Sequence, residues 1–428
     1  MKKPPLSVWD AILRAEKDPS KTPVTPAPRG LAVQLDFLKL WADADSAKTQ
    51  DPYLLLRNGN QQILVTVQLN ASDANGNIVP LSTTELASIQ LVTYVDEKPL
   101  TEISAPSPVG WAVAKHAFGY VYDRQFLNKL RTFSATVGKH LRPSARSLAH
   151  VDPLHAKLYY DDPERDGLTS SLQEEADGGK FVAYQTRSFY LSTTATSNLR
   201  VAAKIKLDNG TIIISNRLEA PLNDPKGAKG LFNCDANFTP LNFPSLPSQN
   251  YGTRKPGDTT VLNDIPVGGT GSPRFFEHHI NIRLDTNTLI EIKQWSSESG
   301  HSPSLRGVYG GGWKAQCSFT RFTRVDSPIL HVADEIKIIK LDGVSLYYPI
   351  DYLFNEQTQA KNFIPGQIVI WQSLFDGDIT FREGYNTPQL ADVVSTKLYL
   401  WDIYGNRHNL TLRFAGSTNY NWLMLDKR

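Results

Sequence analysis

The sequence predicts a mainly β protein: tandem β-sandwich domains behind a short N-terminal helix. Three observations carry this. In "ILVTVQLNASDANGNIVPL", Ile63, Val65, Val67 and Leu69 share one face, and Leu64, Thr66 and Gln68 the other. That is the period of a strand with one buried side. Asn75-Gly76 and Asn209-Gly210 are two-residue hairpin turns, because both residue types accept positive φ. Finally, "HINIRLDTNTLIEIKQW", "EIKIIKLDGVSLYY" and "TKLYLWDIYGNRHNLTLRF" each read strand–turn–strand. Short strands with turn signals at roughly 8–12-residue spacing are the mark of sandwiches and barrels.

The elements follow in chain order. Residues 6–17 read as an amphipathic helix, with Ser7 as cap, Asp10 as the capping-box acid, and Leu6, Trp9, Ile12 and Leu13 as its apolar stripe. Four prolines in "DPSKTPVTPAPRG" then form a stiff spacer to residue 30. Such a helix either docks into a partner or folds back on its own domain. Residues 31–158 are expected to form a β-sandwich. Its end, 123–158, carries Arg124, Lys129, Arg131, Lys139, Arg142 and Arg146 with no acid between Asp123 and Asp152. This run is either a solvated basic face or a surface for an anionic partner. Residues 159–239 are expected to form a β-rich extension or a second sandwich. Six prolines and five glycines make 240–274 a linker or a meandering loop. Residues 275–428 are expected to close as a C-terminal sandwich.

The totals exclude several classes. A chain of 428 residues with 40% hydrophobic and 21% charged content is neither disordered nor fibrous. A net charge of +2 supplies no field for nucleic acid, and none is expected as a partner. Two cysteines, Cys234 and Cys317, do not make a disulfide framework, and the sequence leaves open whether they pair. "MKKPPLSVWDAILRAEK" lacks the apolar core of a secretory signal. Cytoplasmic synthesis is therefore expected, with release by lysis or a non-classical route. There is no run of 18 apolar residues for a transmembrane helix.

One resemblance is visible. "ILVTVQLNASDANGNIVPL" resembles the central hairpin of bacterial immunoglobulin-like modules of the invasin and intimin type, which carry a similar strand and an Asp-x-x-Gly-Asn turn. It covers about twenty residues. It implies an Ig-like sandwich in a surface or assembly protein, and carries over no catalytic residue. "LYLWDIYGNRHNLTL" echoes the same hairpin, with Asp402, Gly405 and Asn406 in the places of Asp73, Gly76 and Asn77. Either a module is duplicated or one turn chemistry is used twice.

The candidate chemistry is sparse. In "LRGVYGGGWKAQ" four glycines lie within six residues, but no Gly-Lys-Ser/Thr opens a helix. Such a run bends a sheet, or it presents Arg306, Tyr309 and Trp313 to a ligand. Asp162, Glu164 and Asp166 alternate before Gly167 as in a calcium loop, although Pro163 and Gln173 depart from it. Calcium is the one cofactor this allows. His150, Asp152 and His155 have the spacing of an iron site without its context. His278 and His279 are expected on opposite faces of a strand. Ser302 in "GHSPS" lacks the strand-to-helix turn of a nucleophile elbow, and Ser304 replaces its last glycine.

No candidate joins a nucleophile, a base and an orienting group, so binding rather than catalysis is expected. The expected function is that of a bacterial-type surface, particle or assembly protein. Its loops would recognise glycan or protein, and the N-terminal helix would anchor or oligomerise it. The alternatives are a secreted toxin, pore-forming or insecticidal, and a metal-dependent enzyme. In the toxin reading, "SFYLSTTATSNLRVAAKIKL" supplies a membrane hairpin.

Overall fold

The computed structural model describes residues 32–45, 52–107, 109–137, 173–177, 180–220, 222, 232–252, 264–266, 274–285, 288–298, 306–309, 315–328, 330–331, 337–341, 344–349, 359–360, 363–377, 395–416 and 419–427. The N-terminal helix and spacer lie outside them. The described protein is mainly β, with several sheets packed face to face.

The first part of the chain contributes β1 (Gln34–Ala42), β2 (Tyr53–Leu56), β3 (Ile63–Ser72), β4 (Ile78–Val79), α1 (Thr83–Ala87), β5 (Gln90–Thr93), β6 (Thr101–Glu102) and β7 (Trp111–Ala114). Then come α2 (Arg124–Val137), β8 (Gln173–Asp177), β9 (Lys180–Thr193), β10 (Leu199–Lys206), β11 (Ile212–Ile214) and β12 (Asp235–Leu241). The first sheet runs β1-β3-β9-β7-β6, with β4 on β3 and β8 on β9. The second runs β11-β10-β12-β2, with β5 on β10. Thus β9 lies between β3 and β7, and the segment after residue 159 supplies strands to both sheets.

The alternation in β3 decides its role. Ile63, Val65, Val67 and Leu69 are fully buried. They meet Leu38 and Leu40 of β1 and Phe189 and Leu191 of β9. The second sheet answers with Leu91, Val201, Ala203, Ile205 and Phe238 in the same core. Cys234 belongs to this core, its Sγ accepting the Leu40 N–H at 3.1 Å.

The later part contributes β13 (Asp264–Pro266), β14 (Arg274–Ile280), β15 (Ile282–Asp285), β16 (Thr288–Ile290), β17 (Ile292–Ser297), β18 (Arg306–Tyr309) and β19 (Ala315–Thr323). These are followed by β20 (Leu330–His331), β21 (Lys337–Leu341), β22 (Val344–Pro349), β23 (Ile368–Gly377), β24 (Ser395–Asp402), β25 (Arg407–Gly416) and β26 (Asn419–Lys427). One sheet runs β13-β14-β23-β19-β18, with β20 on β19; another runs β17-β24-β25-β26. Ile280, Phe322, Ile368 and Ile370 of the first pack with Leu398, Leu400, Leu410, Leu412, Leu423 and Leu425 of the second.

This second core does not stop at residue 275. It includes Leu54 and Leu56 of β2, and Phe126, Leu127 and Leu130 of α2. Helix α2 begins where the Asp123 carboxylate accepts the Phe126 N–H at 3.0 Å, an N-cap contact. Its apolar stripe faces inward. Within the basic run, Arg124 lies 3.9 Å from Asp45, and Lys129 lies 3.7 Å from Asp285. Arg131 is exposed, and Lys139, Arg142 and Arg146 lie outside the described residues. In the segment 240–274, Leu246 and Tyr251 are buried in the same core, and β13 pairs with β14.

Asp43, at the turn after β1, has φ +52° and donates its N–H to Leu64 O. Burial pushes its carboxyl up to about 6; Arg124 opposes this, while Asp45 and Asp123 add to it. The folded state therefore holds this proton above pH 3.8, the ordinary value, where the unfolded chain has released it. Stability from this group is complete below that value and is lost as pH rises through about 6. Urea midpoints measured from pH 4 to 7 are expected to fall less steeply in Asp43→Asn than in the parent. Parallel curves would contradict the assignment.

Candidate functional site

Three places gather polar side chains. The first is a cleft of about 130 Å³ at one side of the N-terminal sandwich. After β5, the chain pairs once more with that strand, Leu100 N–H donating to Leu91 O at 3.0 Å. It then crosses to the other sheet, where β6 runs parallel to β7. The cleft lies at this crossover. Ile89, Leu91, Leu100, Val113 and Phe189 line it, and Arg187 lies among them.

Arg187 sits on the apolar phase of β9, two residues before Phe189 and four before Leu191. It is 6% exposed. Its Nη1 donates to Leu86 O at 2.5 Å, at the end of α1. The opposite, N-terminal end of this helix is fixed by a capping box. The Glu85 N–H donates to Ser82 Oγ at 3.1 Å, and Glu85 Oε2 accepts the Ser82 N–H at 2.8 Å. The guanidinium also lies 5.5 Å from the Phe189 ring centre. Among the described residues it makes no ion pair. Glu102 is at the rim, paired with Lys115 at 2.8 Å, both more than half exposed. Burial lowers the Arg187 pKa, and Glu102 only partly opposes this. An enclosed cation held by one carbonyl leaves donors for an incoming anion.

The second place joins the two sandwiches. Asp402 is fully buried. Its Oδ1 accepts the N–H groups of Tyr404 and Asn406 at 2.9 and 2.8 Å. Its Oδ2 accepts Asn406 Nδ2 at 2.9 Å and meets His408 Nε2 at 3.2 Å. The other ring nitrogen of His408 meets the Tyr251 hydroxyl at 3.0 Å. Loop residues of the first sandwich clamp this turn. Asn58 Nδ2 donates to Tyr404 O and Asn406 Oδ1, both at 2.9 Å, and Asn60 Nδ2 donates to Gly405 O at 2.6 Å. Phe126 stacks on Tyr404 with ring centres 3.9 Å apart. Asp73 builds the same turn: its Oδ1 accepts from Asn75 and Asn77 N–H at 2.8 and 2.9 Å, and its Oδ2 from Asn77 Nδ2 at 3.2 Å. There the turn is exposed. Those bonds hold the Asp73 carboxyl below its ordinary range, led by the Asn77 backbone.

The third place is β14. Glu277, His278 and His279 are all buried. His278 Nε2 meets Gln372 Oε1 at 2.8 Å, while His279 Nδ1 meets Gln367 Oε1 at 3.4 Å. His279 Nε2 lies 3.7 Å from Glu277 Oε2, and Trp371 Nε1 donates to Glu277 Oε1 at 3.0 Å. The two histidines thus engage separate partners. No group of three or more histidine, cysteine or acidic residues forms a metal-binding cluster among the described residues.

Arg306 and Tyr309 lie at the ends of β18, the terminal strand of its sheet. Tyr309 pairs with Gln316, so the glycine run connects two antiparallel strands. Trp313 lies outside the described residues, as do Asp162, Glu164, Asp166, His150, Asp152, His155, Ser302 and Ser304. The stretch considered as a membrane hairpin spans β9 and β10, which belong to different sheets. Sequence reasoning missed Arg187, whose signal is a cation on the buried phase of an alternating strand. It also missed Asn58 and Asn60, for which the sequence carries no signal.

No protein-family profile and no curated protein matches the chain. Among solved structures, it aligns with the C-terminal domain of the Streptococcus pyogenes antigen I/II-family protein AspA at 8% identity and a TM-score of 0.20. That alignment covers 88% of this chain and 99% of the other. At that score the likeness carries no argument about fold or function.

Proposed function

We propose that the chain is a non-enzymatic binding or assembly protein of bacterial type, surface- or particle-associated, recognising glycan or protein through loops of Ig-like sandwiches. The observation that carries this reading is the cleft. A buried guanidinium that makes no ion pair among the described residues is suited to recognising an anion. The clamped junction supports it, because a frame held in one arrangement loses less freedom on binding. The repeated Asp-x-x-Gly-Asn turn, at Asp73 and Asp402, supports the Ig-like assignment.

The test is a biosensor presenting immobilised acidic and neutral glycans and proteins to the parent and to Arg187→Gln. Acidic partners are expected to be retained by the parent and weakened by roughly tenfold or more in the variant, the scale of a hydrogen bond to a charged group. Identical profiles would reject the reading. Light scattering with and without residues 1–29 tests the assembly role. A large particle is expected to collapse on truncation, and an unchanged mass would remove the helix from that role.

A further inference from the structure

The cleft that marks this as a binding protein also restricts what it binds, if that reading holds. Ile89, Leu91, Leu100, Val113 and Phe189 line it with aliphatic and aromatic groups, and Gln90, Glu102, Lys115 and Arg187 bring polar atoms to it. A carboxylate on an apolar body suits both kinds of lining. Its body covers the aliphatic and aromatic walls, and its two oxygens match the guanidinium fork. The size agrees. An apolar cavity of about 150 Å³ holds one benzene ring, and this cleft, at about 130 Å³ and open to solvent, is of similar scale. That is the scale of a single aliphatic side chain. One residue type presents a carboxylate, an aliphatic side chain and a backbone together: the last residue of a polypeptide.

We propose that the Arg187 cleft captures the C-terminal carboxylate of a partner polypeptide ending in an aliphatic residue. The carboxylate meets the donors that Leu86 O leaves unused, and the terminal side chain lies against Leu91, Leu100 and Phe189. The Glu102–Lys115 pair at the rim stands over the approach. Removing the Glu102 charge therefore raises the positive potential that an incoming carboxylate meets.

The experiment is titration calorimetry of the full chain with N-acetyl-Gly-Gly-Leu as its free acid and as its C-terminal amide. Sialyllactose and inorganic sulfate are run beside them. The acid is expected to bind at least about tenfold more tightly than the amide. Arg187→Gln is expected to erase that difference, and Glu102→Gln to tighten acid binding about twofold. If Arg187→Gln does not fold, the acid–amide contrast and the response of Glu102→Gln, an exposed site, decide alone. Equal binding of acid and amide, or binding of neither, overturns the proposal. Binding of sialyllactose in place of the peptide, dependent on Arg187, overturns the peptide terminus but leaves the binding reading standing. Loss of Arg187 dependence for every partner sinks both.

Discussion

Replacing Asp402 with alanine is expected to lower the unfolding free energy by about 3–5 kcal/mol, the cost of removing one partner from a buried polar cluster. The same replacement at Asp73 should scarcely move the unfolding midpoint. The two carboxylates sit in the same turn and accept the same kind of hydrogen bonds. What differs is the surroundings. Asp402 is fully buried, so its loss strands the Tyr404 and Asn406 N–H groups, the Asn406 amide and the His408 ring away from water. Around Asp73, water replaces the carboxylate. Urea unfolding of both variants makes the comparison. Equal shifts would show that the turn's own geometry, rather than its burial, sets the cost.

Gly405→Ala is expected to be the next most damaging change. Gly405 has φ +85°, and Gly76, its counterpart, has φ +80°. Alanine at either position meets the left-handed penalty of about 1–2 kcal/mol. At Gly76 nothing lies within 4 Å of the added carbon, so that penalty is the whole effect. At Gly405 the new Cβ falls 2.5 Å from Asn60 Cβ and 3.3 Å from the Tyr120 ring. Overpacking adds about 1–3 kcal/mol. It also pushes apart the loops that carry Asn60 and Gly405. The check is paired unfolding curves together with limited proteolysis of the 57–62 loop. Gly405→Ala is expected to be cut faster than the parent, and Gly76→Ala at the parent's rate. Indistinguishable behaviour of the two variants would contradict the junction as described.

Much of the fold was legible because local chemistry decides it. The alternation of Ile63 to Leu69 and the Asn-Gly turns act within a few residues, and tertiary packing agrees with them. The echo between Asp73 and Asp402 was also legible, and the two turns share the same hydrogen bonds. Its use was not. Whether such a turn faces water or a neighbouring loop depends on Asn58 and Asn60, more than three hundred residues away in sequence. Arg187 was hidden differently. A cation inside an alternating strand reads as an interruption, and only the crossover of residues 98–103 turns that interruption into a cleft. In the basic run, Arg124 and Lys129 face acids contributed by distant segments, which the local sequence does not show.

The parallel pairing of β2 with β12, Tyr53 beside Phe238, has a consequence during synthesis. The second sheet cannot be completed until the chain has been extended past residue 241. Before then β3 first waits for its partner β9, and once the first sheet is paired its apolar face stays without its full cover. Closing so long a loop is slow, since its entropic cost comes before any contact rewards it. A nascent chain of this kind spends seconds as an unfinished sheet at elongation rates of about 5–20 residues per second. Its yield is expected to depend on how well that apolar face is shielded over the interval more than on final stability.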